Sequence, residues 1–225
     1  LCVTLGVVLS KSSEPKRRNR SHPCTSPLAV KNLKYLHRLP KWHIPSKYSV
    51  FWGFAPGFEG QAPSAVDIAF RPAGKRTVCN WVWLNSEASR VIIDRVAASV
   101  QTQGSEGVPA VSVAKVVHHP ELPLLGVQLP QSIMKQLSNE FGLALVLHIN
   151  FRMEVSSQHL EGIYSSSWSQ DGVARTIVSS QFEATAARKA FPCFDEPAYK
   201  ANFSVVLGCT ECSSMAMLSN MPTQG

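Results

Sequence analysis

Three acidic side chains, Glu183, Asp195 and Glu196, lie close together in a stretch that is rich in Phe and Pro. Carboxylates can hold a substrate ammonium group through charge-assisted hydrogen bonds. They can equally balance charge at helix ends or lie in an ordinary surface loop, and the residue types alone favour these two explanations. What the three acids can do therefore depends on the elements that position them.

Two other clusters contain residue types that bind metals. His118-His119-Pro120-Glu121 has no second His four residues further on, and its Pro disfavours a helix, so it is interpreted as a surface loop. Cys209-Thr210-Glu211-Cys212 lacks the second Cys or His pair of a structural zinc site, and it is interpreted as a turn or a local disulfide. Since the chain also has no Gly-rich phosphate loop and no Gly-x-Ser-x-Gly motif, no complete active site and no metal site are predicted.

Alternating apolar residues predict β-strands from about Lys47 onward. The clearest alternation would place five side chains on one face of a strand: Leu143, Leu145, Leu147, Ile149 and Phe151. Other predicted strands are Ser64–Phe70, Val78–Leu84, Arg90–Val100, Ala110–His118, Leu124–Leu129, Arg175–Phe182 and Asn202–Gly208. The pattern predicts an all-β fold, either an antiparallel sandwich or a large curved sheet.

Turns and short helices complete this prediction. Asp171-Gly172 predicts a hairpin turn, and short helical segments are predicted at Gln131–Asn139 and Thr185–Lys189. The acidic stretch then consists of a strand that ends at Gln181-Phe182-Glu183, the second helical turn, the loop Phe191–Pro197 and a further strand. A loop between two strands is a common place for functional groups.

Composition and charge exclude several classes of protein. The 225 residues are 44% hydrophobic, which rules out disorder over most of the chain. Residues 1–50 carry 10 Lys and Arg but only one acid, Glu14, whereas residues 51–225 carry 12 basic and 14 acidic residues. Because the positive charge lies in the N-terminal segment and not over the body, we predict no nucleic-acid partner.

Residues 1–37 are predicted to be a flexible basic segment in front of the folded domain. Leu1–Leu9 is apolar but too short for a spanning helix. It is either the end of a truncated signal anchor, and thus a candidate membrane anchor, or an h-region, or a stray apolar stretch. Lys16–Arg20 suits a linker best, although a processing site, a nuclear address or a membrane-surface patch remain alternatives. The first residue is Leu and the last is Gly225, so we expect a chain that is incomplete at both ends.

The stretch 179–203 resembles the N-terminal domain of the M1 family of zinc aminopeptidases. That family's pattern runs Gln-Phe-Glu-Pro-Thr-Asp-Ala-Arg-Arg-Ala-Phe-Pro-Cys-Phe-Asp-Glu-Pro, and Gln181-Phe182-Glu183, Thr185, Ala187-Arg188 and Ala190–Pro197 match it. The resemblance covers about residues 38–222. It is strong after residue 160, where Glu161–Trp168 and Leu218–Pro222 also agree, and weak between residues 95 and 140. Looser agreement upstream includes Arg38–Pro40, Ile44–Tyr48, Phe58–Gln61 and Trp83–Asn85. Ala184, Ala186 and Ser165 depart from the family, which has Pro, Asp and Arg at these positions.

The resemblance implies a fold and roles for individual residues. Residues 38–222 would form the family's saddle-shaped all-β domain. Glu183 would hold the α-amino group of a peptide substrate, and Gln181 would help to line the pocket for its first side chain. The family loop that matches Phe191, Pro192, Cys193, Phe194, Asp195, Glu196 and Pro197 would support the site structurally.

The resemblance also implies what lies elsewhere. The family's zinc ligands, His-Glu-x-x-His and a later Glu, are absent from this sequence, so we expect zinc in a full-length parent and no cofactor bound by this chain. The chain alone is expected to be inactive, and the alternative is a non-catalytic scaffold or binding module of the same family. Sequons at Asn19 and Asn202 are candidate glycosylation sites and favour a membrane-bound or extracellular location, with a cytoplasmic relative as the alternative.

Overall fold

The computed structural model describes residues 38–55, 61–71, 79–101, 109–119, 121–140, 142–209 and 216–222. The predicted basic segment 1–37 and the sequon at Asn19 lie outside these residues. One helix, α1 (Gln131–Asn139), and a 3-10 turn (Ala187–Lys189) accompany the strands of the described residues. These strands are β1 (Pro45–Phe54), β2 (Pro63–Phe70), β3 (Trp81–Asn85), β4 (Val91–Gln101), β5 (Val111–Ser112), β6 (Lys115–His118), β7 (Leu124–Gln128), β8 (Ala144–Met153), β9 (Gly162–Gln170), β10 (Val173–Gln181) and β11 (Asn202–Cys209).

The largest sheet has six strands in the order β11-β1-β2-β8-β4-β5. The all-β prediction is confirmed, but the sheet is mixed because β1 and β11 are parallel, with Lys47 opposite Asn202 and Phe54 opposite Cys209. A parallel pair cannot be closed by a short hairpin. Here nearly the whole domain lies between the two strands, and local sequence patterns carry no sign of such a distant pairing.

A second, three-stranded sheet has the order β3-β7-β6. The predicted single strand Ala110–His118 is wrong, because its first part forms β5 in the six-stranded sheet and its second part forms β6 in this one. The chain changes sheets between Val113, whose N–H donates to Val96 O at 3.3 Å, and Ala114, whose N–H donates to Gln128 O at 2.9 Å. Apolar residues recur on both sides of this point, at Val111, Val113, Val116 and Val117, so the sequence pattern predicted one strand.

The core lies on one face of the six-stranded sheet. The predicted alternation of β8 is confirmed, since Leu143, Leu145, Leu147, Ile149 and Phe151 are all buried in one cluster. Helix α1 matches its predicted bounds and buries Ile133 and Leu137, four residues apart on one helical face, in the same cluster. Burial of these side chains removes apolar area from water and stabilises the fold.

The hairpin formed by β9 and β10 is a separate two-stranded sheet. Its turn contains Asp171 at φ 53° and Gly172 at φ 76°. Two successive positive φ values are typical of a type I′ hairpin turn, and they confirm the turn predicted from Asp-Gly. Most side chains of the hairpin are exposed, and its base leads directly to Gln181 and Glu183.

Candidate functional site

Gln181 and Glu183 lie where the chain leaves β10. Both are exposed, whereas Phe182 between them is half-buried and joins the edge of the core. Successive side chains of an extended chain point to opposite sides, so the inward position of Phe182 turns its two neighbours outward. The next peptide bond, between Glu183 and Ala184, is cis.

An aromatic base, formed by Tyr48, Trp52, Phe182 and Phe191, holds this segment from below. The ring centroids of Phe182 lie 6.0 Å from Trp52 and 6.2 Å from Phe191, and those of Trp52 and Phe191 are 5.7 Å apart. Phe191 also meets Tyr48 edge to face at 6.3 Å. Aromatic pairs at these separations add to the energy of burial, so the base fixes Phe182 and with it the backbone of Gln181 and Glu183.

A tight turn follows the site. The Ala186 N–H donates to Phe182 O at 2.9 Å, and the Phe191 N–H donates to Ala187 O at 3.1 Å. The helical turn predicted at Thr185–Lys189 is thus present, but as a 3-10 turn over its last three residues. This turn connects the segment that carries Glu183 to the loop that follows.

The support loop, Phe191–Pro197, is fixed by residues far away in sequence. Asn85 forms a two-way backbone bridge with Cys193, with N···O distances of 2.8 and 3.0 Å, and its side-chain Oδ1 accepts from the Asp195 N–H at 3.0 Å. The Tyr48 hydroxyl accepts from the Phe194 N–H at 3.0 Å. Residues 191–194 are buried, so these bonds satisfy backbone groups that water does not reach.

The three acids identified in the sequence have different surroundings. Asp195 is paired with Arg188, whose Nε donates to its Oδ2 at 2.8 Å, and both side chains are largely buried. Glu196 accepts a hydrogen bond from the Leu39 N–H at the start of the domain. Glu183 makes no hydrogen bond or ion pair with any residue in the described part of the chain, and it is exposed. Of the three carboxylates, Glu183 is therefore the one available to a ligand.

Burial keeps the Tyr48 hydroxyl and the Cys193 thiol neutral. It raises the pKa of the Tyr48 hydroxyl and of the Cys193 thiol, and nearby Asp195 raises the pKa of both groups further. A thiol with a raised pKa is a poor nucleophile, so Cys193 is a packing residue and not a reactive one.

A cleft of about 210 Å³ opens beside the support loop. Its lining includes Arg38, Trp83, Asn85, Leu122, Arg188 and Glu196. Neither Gln181 nor Glu183 lines it, so the predicted site residues lie on an open surface of the chain and not in this cleft.

The structure also describes the clusters that the sequence left open. His118 ends β6, and His119 Nδ1 accepts from the N–H groups of Glu121 and Leu122 at 3.1 Å each. Cys209 is disulfide-bonded to a partner outside the described residues. Asn202 is exposed on β11, the edge strand of the six-stranded sheet.

No group of three or more His, Cys, Asp or Glu side chains in the described ranges could hold a metal ion. Their donor sets therefore do not fit a catalytic zinc ion, which takes three protein ligands. In the same ranges, no helix is long and apolar enough to cross a membrane.

Comparison with known proteins decides the family. The model of the peptidase M1 N-terminal domain matches residues 58–225. This chain belongs to the peptidase M1 family. The resemblance carried by Gln181–Pro197 is thereby confirmed, and the M1 domain extends over strands that the sequence matched only loosely.

Similar proteins agree with this assignment. The M1 domain is 27% identical over 191 residues to aminopeptidase N of Canis lupus familiaris, 30% over 196 residues to aminopeptidase Q of Mus musculus, and 32% over 171 residues to the thyrotropin-releasing hormone-degrading ectoenzyme of Homo sapiens. These alignments cover 84%, 84% and 76% of this chain, but only 18%, 33% and 14% of the respective relatives. The chain thus corresponds to a small part of these relatives.

Sequence reasoning missed the residues that support the site from other strands. Tyr48, Trp52 and Asn85 lie about 100 residues or more before the support loop, and no local pattern in the sequence joins them to it. For Tyr48 and Trp52 the available signal was the residue type, since large aromatic residues in predicted strands usually belong to a core.

Proposed function

We propose that residues 38–222 form the N-terminal domain of a zinc aminopeptidase that removes N-terminal residues from peptides. In this function the Glu183 carboxylate holds the α-amino group of the substrate, and Gln181 lines the pocket for its first side chain. The observation that supports this role is the difference between the acids: Asp195 and Glu196 are engaged within the chain, while Glu183 is exposed and makes no such bond in the described residues.

The chemistry of a carboxylate suits recognition of a peptide amine. A hydrogen bond to a charged group contributes about 1.5–3 kcal/mol, and an ammonium group can donate three such bonds. If the rest of the parent protein covers this surface, a peptide with a blocked amine would leave Glu183 buried without a partner, which would give selectivity for free N-termini. The aromatic base fixes Phe182, and the backbone of Glu183 follows it directly, which supports a defined position for this carboxylate.

The metal of this activity would be bound outside the described residues, which offer no suitable donor set. The contribution of this chain is to bind and orient the substrate amine. Zinc, when bound by the parent protein, would supply the activated water of peptide hydrolysis.

We also propose a membrane-bound or extracellular location for the parent. One relative is named as an ectoenzyme, and the sequon residue Asn202 is exposed. A native protein that carries no glycan on Asn202 or Asn19, shown by mass spectrometry before and after deglycosylation, would contradict this location.

A fusion tests the amine anchor. The chain would be joined in frame to the part of the Caenorhabditis elegans puromycin-sensitive aminopeptidase that follows its matching segment, a relative 29% identical over 210 residues. We expect Glu183→Gln to lower kcat/KM for free-amine peptides by about 10- to 100-fold, because one charge-assisted interaction is lost. Glu140→Gln, at an exposed position after α1, is the matched control and should leave kcat/KM unchanged.

Two results would overturn the proposal. Equal kcat/KM for Glu183→Gln and the parent fusion would remove the anchor role. A folded fusion that binds zinc but releases no amino acid would favour the non-catalytic scaffold.

A further inference from the structure

Three polar side chains on adjacent strands of the six-stranded sheet form a continuous chain of hydrogen bonds. His148 Nδ1 on β8 lies 2.8 Å from Asp67 Oδ1 on β2. His148 Nε2 lies 2.9 Å from Ser99 Oγ on β4. A carboxylate can only accept a hydrogen bond, so Nδ1 carries the ring proton, and in the neutral imidazole Nε2 accepts the Ser99 hydroxyl proton.

The strand register explains how these residues meet. His148 stands directly opposite Asp67 on one side and opposite Ala97 on the other. Ser99 follows Ala97 by two residues and therefore lies on the same face of the sheet. Ala97 carries only a methyl group, which leaves space for the imidazole to incline towards Ser99. The order of donors and acceptors is that of a Ser-His-Asp nucleophile system.

Exposure decides what could reach this chain of hydrogen bonds. The Asp67 side chain is 50% exposed and the His148 side chain 28% exposed, whereas Ser99 is only 3% exposed. A reagent must therefore approach Ser99 past the imidazole, so the test uses a small electrophile. Glu183 is not among these residues, so this arrangement does not depend on the proposed amine anchor.

We propose that Ser99 is a reactive nucleophile, with His148 as its general base and Asp67 as the residue that orients the imidazole. The site would take small phosphoryl or acyl electrophiles. With diisopropyl fluorophosphate, Ser99 Oγ forms a bond to phosphorus, the phosphorus–fluorine bond breaks, fluoride leaves, and the serine proton passes to His148 Nε2. The product is a phosphorylated serine and an imidazolium ion that faces the Asp67 carboxylate.

The sheet also sets the limit of this reactivity. Strands β2, β8 and β4 pair along their lengths around these residues, so their backbone N–H groups are engaged in the ladder. A pair of free N–H donors for an oxyanion is not provided there, and one such donor contributes about 10²- to 10³-fold in rate. We therefore expect one stoichiometric modification of Ser99 and no catalytic turnover.

The test is covalent labelling of the whole chain with diisopropyl fluorophosphate. Intact mass spectrometry should show the addition of one diisopropylphosphoryl group, and peptide mapping should place it on Ser99. Ser99→Ala should abolish the adduct. His148→Gln and Asp67→Asn should slow its formation by about 100-fold or more, because the general base or its orientation is lost.

Controls separate reactivity from folding. Ser112→Ala removes an exposed serine on β5, which pairs with Ala97 next to the site, and should leave the labelling rate unchanged. Far-ultraviolet circular dichroism of each variant should match the parent chain. Absence of an adduct on Ser99, or an unchanged rate in the folded His148→Gln variant, would overturn the proposal.

Discussion

The β9–β10 hairpin precedes Glu183 in the chain and the support loop follows it, yet the two differ in how far their side chains are buried. The first half of the loop, residues 191–194, is buried, and the loop is bonded to Asn85 and Tyr48. The hairpin exposes Trp168, Val173 and Ile177 by 46%, 56% and 50%, all on the face that also carries Gln181. The backbone at Gln181 and Glu183 is therefore held by the loop through Phe182 and by the base of the hairpin, where Gln181 pairs with Gly162. The exposed outer part of the hairpin is expected to add little.

The largest loss of stability is expected where the aromatic base is removed. Phe191→Ala deletes a ring that contacts Tyr48, Trp52 and Phe182. We expect the free energy of unfolding to fall by about 3–5 kcal/mol, because the ring is buried and a cavity remains. Urea unfolding followed by fluorescence measures this change, and a loss below about 1 kcal/mol would show that the base does not hold the loop.

Acid should act on the loop through His43. This side chain is buried against Phe70, which packs on Phe194 of the loop, and burial lowers the pKa of His43 to about 4. A His in the unfolded chain titrates near 6.5, so the unfolded chain takes up this proton first as the pH falls. The free energy of unfolding is therefore at its full value above pH 6.5 and decreases by about 3 kcal/mol as the pH falls towards 4. His43→Phe should flatten the dependence of stability on pH in this window. An unchanged dependence in the variant would contradict the assignment to His43.

Alkali should act on the loop through Tyr48. Because burial raises the pKa of its hydroxyl, the unfolded chain ionises first, and stability falls as the pH rises above about 10. Tyr48→Phe should weaken this alkaline loss. At neutral pH the same variant should be about 1–2 kcal/mol less stable, since the Phe194 N–H loses its acceptor. Equal stability at pH 7 would mean that this bond contributes nothing.

The smallest effect is expected on the hairpin. Trp168→Ala and Ile177→Ala remove exposed side chains, so each should change the free energy of unfolding by no more than about 0.5 kcal/mol. The Phe191→Ala experiment supplies the matched comparison under the same conditions. A loss near that of Phe191→Ala would show that the hairpin also holds the site.

The sequence was most informative where the physical cause is local. The period of two in β8, the Asp171-Gly172 turn and the bounds of α1 all follow from neighbouring residues, and all were predicted. The parallel pairing of β1 with β11 was not, because it depends on residues about 155 positions apart. The change of sheet at Val113–Ala114 was missed because its apolar pattern fits either sheet.

The candidate site divides in the same way. Glu183 was selected by resemblance to a family, since its residue type alone did not separate it from Asp195 and Glu196. Asp195 and Arg188 are close in sequence, but their side chains form an ion pair only because the turn between them brings them together. The chain Asp67–His148–Ser99 joins three strands, and no spacing along the sequence could have predicted it.

The parallel pair of β1 and β11 has a consequence for biosynthesis. A ribosome releases β1 early, but its second neighbour in the sheet emerges only after Asn202–Cys209 has been made. Until then one edge of β1 presents unpaired backbone groups, which are a template for strands of other chains. During translation, one side of β1 therefore stays unpaired until β11 has been synthesised. A product that stops before Asn202 would keep this aggregation-prone edge permanently.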